Sequence, residues 1–295
     1  MAASVRRRLL FVLNVVSGAK TVDWRSVILG YFTQSPHDIG FYKLPENFTT
    51  QEVRLAIQSY QADYVIAVGG DGTVTLLSEC LVNTTMSLGI LPAGSANGMA
   101  KELGINTDPQ KALDVIAAGF TRRISATIIN GRTSIHLADV GLNAFMLKEF
   151  QSRGKRGYLG YTLATAKVLW KNRGVDVDLA YDGKHVRIKA DIILIANATS
   201  YGTGVTVNPV GKLDDDVFEV IAIPNLSLGD VIKNSLQKST IDRSKVKVFQ
   251  MSEGTLTSKR PVHFQIDGEY LGKVKEVHAK LLPNCLQVIV PENVQ

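Results

Sequence analysis

Short apolar runs alternate with longer amphipathic stretches over the first 125 residues. Three runs predict buried strands: RLLFVLNVV, YVIAVGG and SLGILPAG. Four stretches between and after them predict helices: FTTQEVRLAIQSYQ, TVTLLSECLVN, ANGMAKELGI and TDPQKALDVIAAG. Thr49 or Thr50 is a candidate cap for the first of these helices, and Pro109 lies near the start of the last. Strand, loop and helix in repeated succession indicate a parallel sheet with helices on its faces.

The pattern changes after residue 125. VDVDLAYDGKHVRIKADIILIANAT alternates polar and apolar residues, and Asp182-Gly183 is a strong hairpin signal. PVHFQIDGEYLG also alternates, with Val262, Phe264 and Ile266 on one face. One helix, YLGYTLATAKVLWKN, is expected early in this half. We therefore predict an α/β domain at 1–125, to which 283–295 returns, and a mainly β-sandwich domain at 126–282, with a cleft between them.

Composition narrows the class of protein. The chain has 295 residues, 45% of them hydrophobic and 20% charged, which is typical of a globular protein. A formal charge of +6 favours anionic partners such as nucleotides or acidic lipid headgroups. The two distant cysteines and the scattered histidines form no metal-ligand or disulfide pattern, so a reducing, cytoplasmic location is expected. The N-terminal apolar run is too short for a signal peptide and is better interpreted as a buried strand.

Three glycine-containing loops follow predicted strands. VGGDGT (68–73) contains Gly69, Gly70 and Gly72, while LNVVSGAKT (13–21) and LPAGSANGMA (91–100) follow the neighbouring strands. In an open parallel sheet, ligands bind beyond the carboxyl ends of the strands, where backbone amides and helix N-termini attract phosphate. Asp71 can hold a Mg²⁺ that bridges phosphates or hydrogen-bond the loop itself. Neither the P-loop nor the dinucleotide glycine spacing is present, and a tight turn with a capping Asp explains the first loop equally well.

The loops also carry a resemblance. GGDGT followed by LGILPAGSANGMAKELGI, with ADVGLNAFM, YGTGVTVNPVGKLDDDVFEVIAI and QIDGEYL downstream, resembles the diacylglycerol kinase catalytic-domain family, bacterial soluble lipid kinase type. The matches run in order from Asn14 to Leu271. This resemblance implies an α/β nucleotide-binding domain shared with NAD kinases, a β-sandwich, ATP in the cleft and transfer of its γ-phosphoryl to a diacylglycerol-like or sphingoid hydroxyl. It also implies Mg²⁺ and a role in lipid metabolism.

The same resemblance assigns roles to residues. Glu269 corresponds to the proton acceptor, and Asp71 is placed to hold the catalytic metal. A structural Mg²⁺ is expected on Asp215 and on the carbonyls of Lys212 and Val217. The positions that correspond to nucleotide contacts are Asn14, Ser17, Gly18, Lys20, Gly69, Gly70, Gly72, Thr73, Ser95 and Asn97.

Several positions depart from the family pattern. Thr75 and Leu76 stand where Asn and Glu are usual, Gly98 replaces an acid, Val15 replaces a Pro, and Asp216 replaces a Gly. Two other functions stay open: a soluble-metabolite kinase of the NAD type, because the nucleotide domain is shared, and a non-catalytic nucleotide-binding regulator, which these departures suggest. The missing Asn-Glu pair at 75–76 argues against the former.

A lipid substrate requires contact with a membrane surface. The segment 149–174 combines basic residues, among them Arg153, Lys155 and Arg156, with aromatic ones, which favours peripheral contact with anionic lipid. The alternative is a solvated helix that packs on the sandwich, which explains the same sequence. Nucleic acid is a poor candidate partner, because no basic stripe with interleaved aromatic residues occurs elsewhere. A homodimer is left open.

Overall fold

The computed structural model describes residues 6–14, 22–141, 144–145, 174–201, 205–206, 208, 210–224 and 246–292. The chain divides into two compact units. The first comprises residues 1–124 and 284–295, and the second comprises residues 125–283. The predicted helix YLGYTLATAKVLWKN and the basic residues around it lie outside the described residues. No helix among those described is long and apolar enough to cross a bilayer.

The first unit is a parallel sheet flanked by helices. Its central strand is fully buried because its residues are apolar on both faces, as expected where helices cover both sides. The sheet order is β16-β4-β3-β1-β2, where β16 joins through its last residues, Gln287 and Val288. The strands and helices that belong to this unit are β1 (Arg8–Leu13), α1 (Trp24–Tyr31), β2 (Asp38–Lys43), α2 (Thr50–Tyr60), β3 (Tyr64–Gly69), α3 (Asp71–Leu81), β4 (Ser87–Pro92), α4 (Gly98–Glu102) and α5 (Pro109–Ala118).

Local sequence explains where these helices begin. Thr49 caps α2 through a capping box, in which its hydroxyl accepts from the amide of Glu52 and the Glu52 carboxylate accepts from the amide of Thr49. Asp108 caps α5, whose first residue is Pro109. Helix α3 begins at Asp71, two residues before the predicted stretch, because Gly70 takes the capping position and an acid is favourable in the first turn.

The second unit is built almost entirely of antiparallel strands. Its main sheet has the order β14-β13-β10-β7-β15-β16; β8 and β9 extend from β15, and β5 pairs with β16 and β6. The Asp182-Gly183 turn joins β8 to β9, with Tyr181 opposite Lys184, as predicted. The strands are β5 (Thr121–Ile129), β6 (Arg132–Ser134), β7 (Leu137–Gly141), β8 (Val175–Tyr181), β9 (Lys184–Ala190), β10 (Ile192–Ala196), β11 (Ser200–Tyr201), β12 (Val205–Thr206), β13 (Phe218–Ile223), β14 (Lys247–Met251), β15 (Glu253–Ile266) and β16 (Glu269–Ile289).

Alternating side chains of these strands form the core of the second unit. Phe218 is fully buried, Phe264 nearly so, and both pack with residues of β7, β8, β10 and β16. Phe264 and Ile266 are buried and Val262 is half-buried, so the predicted apolar face of this strand is confirmed. The fold is thus an α/β domain and a β sandwich-like domain.

Candidate active site

The turn between β3 and α3 requires glycine for reasons of space. A Cβ at Gly69 would lie 2.3 Å from the Thr73 hydroxyl oxygen, inside any allowed contact distance. A Cβ at Gly94, on the loop after β4, would lie only 2.4 Å from the Cα of Gly70. The two loops therefore touch backbone to backbone, and the glycine-rich sequence permits this approach.

The loop after β4 is closed by its own side chains and by Asp71. The amide oxygen of Asn97 accepts from the N–H of Gly94 at 3.0 Å, and its NH₂ group donates to the Gly94 carbonyl at 2.9 Å. The N–H of Met99, near the start of α4, donates to Asp71 Oδ1 at 3.1 Å. Asn97 itself provides no side-chain cap for this helix, so Asp71 fulfils that role from the neighbouring loop.

Hydrogen bonds of Asn14 connect the end of β1 to the turn between β3 and α3. Its NH₂ group donates to the Thr73 hydroxyl at 3.1 Å, and its backbone N–H donates to the Val68 carbonyl at 3.1 Å. Asn14, Asp71, Thr73 and Asn97 thus lie together at the carboxyl edge of the sheet. Ser17, Gly18 and Lys20 lie outside the described residues.

This arrangement has the chemistry of an anion site. The N-terminus of α3 has no side-chain cap, so its first turn presents N–H groups and the positive end of the helix dipole. Ser95 is exposed in the adjacent loop, where its hydroxyl is accessible. Such an edge, with amides from a helix N-terminus and small residues around it, suits the phosphates of a nucleotide.

Glu269 lies in the second unit, directly after a two-residue hairpin turn. Asp267 and Gly268 form the turn with φ angles of 45° and 85°, and Ile266 pairs with Glu269 across it. Glu269 is exposed, and its carboxylate contacts the guanidinium of Arg132 at 3.0 Å. The hairpin interpretation of the Asp-Gly-Glu sequence is therefore correct, and it leaves the Glu269 side chain accessible.

The Asp267 carboxylate is buried beneath this turn. It accepts from the Ser134 hydroxyl at 2.8 Å and from the N–H of Leu137 at 2.9 Å. Burial raises the pKa of Asp267, while neighbouring His136 and these hydrogen bonds lower it. The turn is consequently anchored to the segment between β6 and β7.

Asp215 lies on the loop before β13. Its carboxylate accepts from the N–H of Val217 at 3.4 Å, and its carbonyl accepts from the Ser125 hydroxyl at 3.1 Å. Burial raises the pKa of the Asp215 carboxyl, and the adjacent Asp214 and Asp216 raise it further. No group of three His, Cys, Asp or Glu side chains within the described ranges could hold a metal ion, so a cation here would need backbone oxygens as well.

A cavity of about 600 Å³ opens in the second unit. Its described wall combines apolar and charged side chains, and the Phe145 ring stacks on His263 with 4.6 Å between the ring centroids. The apolar residues include Val175, Pro261 and Val262, the basic ones are Arg187, Lys259, Arg260 and Lys273, and the acidic ones are Asp176 and Asp178. Arg187 is paired with Asp176 at 2.8 Å.

Comparison with known proteins identifies the family. The model of the diacylglycerol kinase catalytic domain matches residues 8–129. A second family model, the YegS C-terminal NAD kinase beta sandwich-like domain, matches residues 139–290, which are more than half of the chain. The chain belongs to the family that combines these two domains. The family and the names of its relatives support kinase activity for this member.

Relatives and solved structures agree with this family. A diacylglycerol kinase of Staphylococcus saprophyticus is 27% identical over 254 residues, covering 84% of this chain and 82% of that protein. A diacylglycerol kinase from Bacillus anthracis superposes with a TM-score of 0.74 at 17% identity, covering 98% of both chains. An NAD kinase from Archaeoglobus fulgidus, solved in complex with ATP, has a TM-score of 0.58 at 14% identity, covering 97% of this chain and 94% of that one. These likenesses to solved structures establish the shared fold.

Two residues near Glu269 were missed from the sequence. Asp139 and Gln265 are fully buried and hydrogen-bonded to each other. The signal for Asp139 was an acid within the otherwise apolar strand LADVG. Its partner is 126 positions away, so only the pairing of β7 with β15 reveals the contact.

Proposed function

We propose that this protein is an ATP-dependent lipid kinase, which transfers the γ-phosphoryl group of ATP to the hydroxyl of a diacylglycerol-like or sphingoid lipid. The observation that carries the proposal is the meeting of Asn14, at the end of β1, with the loops after β3 and β4 at one sheet edge. The Gly70–Gly94 contact and the hydrogen bonds from Met99 to Asp71 and from Asn14 to Thr73 support a preformed triphosphate site there. Ser95 and Asn97, on the loop after β4, belong to the same proposed site.

Phosphoryl transfer depends mainly on positioning and on charge neutralisation, with a base to accept the proton of the attacking hydroxyl. Glu269 suits the role of base because its carboxylate is exposed and fixed at a hairpin turn. Arg132 contacts this carboxylate at 3.0 Å from strand β6.

The family implies Mg²⁺, a cation that prefers oxygen ligands. Asp71 would hold it at the phosphate loop, and Asp215 would hold a second ion with the carbonyls of Lys212 and Val217. The Asp215 loop fits this role, because a cation would offset the cost of burying a carboxylate beside Asp214 and Asp216. The bound ion supplies neutralisation of the charge that develops on the phosphate oxygens.

A lipid acceptor is favoured by the cavity of the second unit. The apolar part of its wall suits an acyl chain, and Lys259, Arg260 and Lys273 suit the anionic surface of a membrane. A nucleotide acceptor such as NAD is the alternative that the fold allows, and it would not need this combination. The basic segment that includes Arg153, Lys155 and Arg156 would add to membrane contact.

The test is transfer of radiolabelled phosphate from ATP to a panel of acceptors: a short-chain diacylglycerol, a sphingoid base and NAD. Glu269→Gln is the informative variant, and Glu276→Gln, an exposed acid on the same strand, is its matched control. We expect transfer to one of the lipids, its loss in E269Q and its retention in E276Q. Transfer only to NAD would contradict the proposal, and full lipid turnover by E269Q would contradict the role of Glu269 as the base. ATP binding without transfer to any acceptor would indicate a regulator.

A further inference from the structure

A chain of buried hydrogen bonds leads from the end of β7 to the turn that carries Glu269. Asp139 accepts from the N–H of Ala144 at 2.8 Å and, through its other oxygen, from the side-chain NH₂ of Gln265. The side-chain oxygen of Gln265 then accepts from the N–H of Gly268 at 2.7 Å. The last link is the N–H of Gly268, the residue immediately before Glu269.

This chain of hydrogen bonds lies at a position where apolar side chains would pack as well. Asp139 and Gln265 lie opposite each other on β7 and β15, both at 0% exposure, and their strand neighbours Val140 and Phe264 belong to the apolar core. Burying a carboxylate costs free energy that its hydrogen bonds only partly return, and apolar replacements of such pairs are often neutral or stabilising. Stability is therefore a weak explanation for this pair, whereas orientation of the turn is a specific one.

A second anchor holds the other side of the same turn. The N–H of Asp267 donates to the Leu137 carbonyl at 2.9 Å, while its carboxylate accepts from Ser134 and Leu137. The N–H groups of Asp267 and Gly268 thus donate to two different acceptors, the Leu137 carbonyl and the side-chain oxygen of Gln265. With both turn residues held, the strand that begins at Glu269 leaves the turn in one direction.

We propose that Asp139 and Gln265 are positioning residues that act through the peptide of Gly268 to orient Glu269 for phosphoryl transfer. The inference rests on the proposed function, because it requires Glu269 to be the base. Neither side chain needs to contact the reacting atoms. Loss of the pair should therefore lower kcat and leave the KM for ATP unchanged, because the nucleotide loops belong to the other unit.

The test begins with Gln265→Met, which keeps the length of the side chain and removes both hydrogen bonds. We expect kcat to fall about tenfold to a hundredfold, since misplacement of a catalytic group by about 1 Å has effects of that size. The double variant D139N/Q265E reverses donor and acceptor within the pair and can remake every link. It should return kcat to within about threefold of the wild-type value. Thr127→Val, at a buried position of the same unit outside the chain of hydrogen bonds, is the control and should retain wild-type kcat.

Two comparisons make the result decisive. In the E269Q background, Q265M should lower the residual turnover no further, because a residue that acts through Glu269 has no effect once the carboxylate is gone. Wild-type kcat in Q265M, or a swap variant that regains the wild-type unfolding midpoint without regaining kcat, would overturn the inference. If Q265M does not fold, the isosteric D139N supplies the same comparison, with a smaller expected loss. Full lipid turnover in E269Q would instead refute Glu269 as the base, and transfer by the wild type to none of the lipids would refute the proposed function itself.

Discussion

The contact between Gly70 and Gly94 gives the most direct test of the nucleotide site. Gly94→Ala adds one methyl group, whose carbon would lie 2.4 Å from the Cα of Gly70, 2.9 Å from Asn97 Oδ1 and 3.0 Å from the Gly70 nitrogen. Two of these neighbours are backbone atoms, which cannot rotate away. Because carbon atoms pack at about 3.5–4.0 Å, the loops must separate by about 1 Å.

That separation should affect both stability and catalysis. Overpacking of this kind costs about 1–3 kcal/mol of the free energy of unfolding. A shift of about 1 Å in the phosphate-binding amides should lower kcat/KM for ATP about a hundredfold, equivalent to about 3 kcal/mol of transition-state stabilisation. The Met99–Asp71 hydrogen bond, which joins the same two loops, should weaken with it.

The assay combines steady-state kinetics with the rise in unfolding temperature on adding ATP. Gly30→Ala is the matched control, because Gly30 lies in α1 of the same unit and a Cβ there meets nothing within 4 Å. It should leave kcat/KM unchanged and, as a Gly-to-Ala change within a helix, can add up to about 1 kcal/mol of stability. Wild-type ATP binding and turnover in G94A would show that the two loops need not touch, and the argument for a preformed site would fail.

Three further outcomes can be measured. Asp71→Ala and Asp108→Ala each remove a carboxylate that accepts from a backbone N–H at 3.1 Å, so the free energy of unfolding in urea should fall by about 1 kcal/mol in both variants. Only D71A should also lose the stabilisation by ATP, and equal ATP responses would contradict the role of Asp71. Thr127→Val replaces a buried hydroxyl without a hydrogen-bond partner in the described structure, so the unfolding temperature should stay constant or rise, and a clear fall would show that the hydroxyl is satisfied in solution. Glu219 is buried, and burial raises the pKa of its carboxyl above the ordinary 4.5 despite hydrogen bonds from Asn208 and Gln250. Its contribution to stability is therefore fully present below pH 4.5 and is lost as the pH rises through the folded-state pKa. Urea midpoints of wild type and E219Q, compared from pH 4.5 upward, should show the wild type losing relative stability, and parallel curves would refute this.

The approach of Asn14, at the end of β1, to the loops after β3 and β4 was predictable from the sequence, because it depends only on where strands end. Parallel strands end at one edge, so short apolar runs followed by glycines place Asn14, Asp71 and Asn97 near one another. Their individual contacts were not predictable in this way. The hydrogen bond by which Asp71 caps α4 was not expected, because it depends on the distance between the backbones of two loops. The expected role of Asp71 in metal binding stays a prediction.

Two elements of the first unit had weak signals. Strand β2 lies at the edge of the sheet, pairs with β1 and is at most half-buried, so its apolar pattern is diluted by Gly40 and Lys43. Helix α1 has a single fully buried residue, Ile28. Periodicity reports burial, and elements with little burial give little periodicity.

The capping of α4 by Asp71 also bears on one departure from the family pattern. The residue that the family has as an acid is Gly98 here, the buried first residue of this helix, and the next N–H along the chain already donates to Asp71. A short helix with an acid in its first turn gains from the interaction of that charge with the helix dipole. Asp71 provides a negative charge at the same N-terminus from the neighbouring loop, so the fold of the second loop does not need a carboxylate at position 98. The substitution therefore changes the charge of the site without removing the hydrogen bond that joins its two glycine loops.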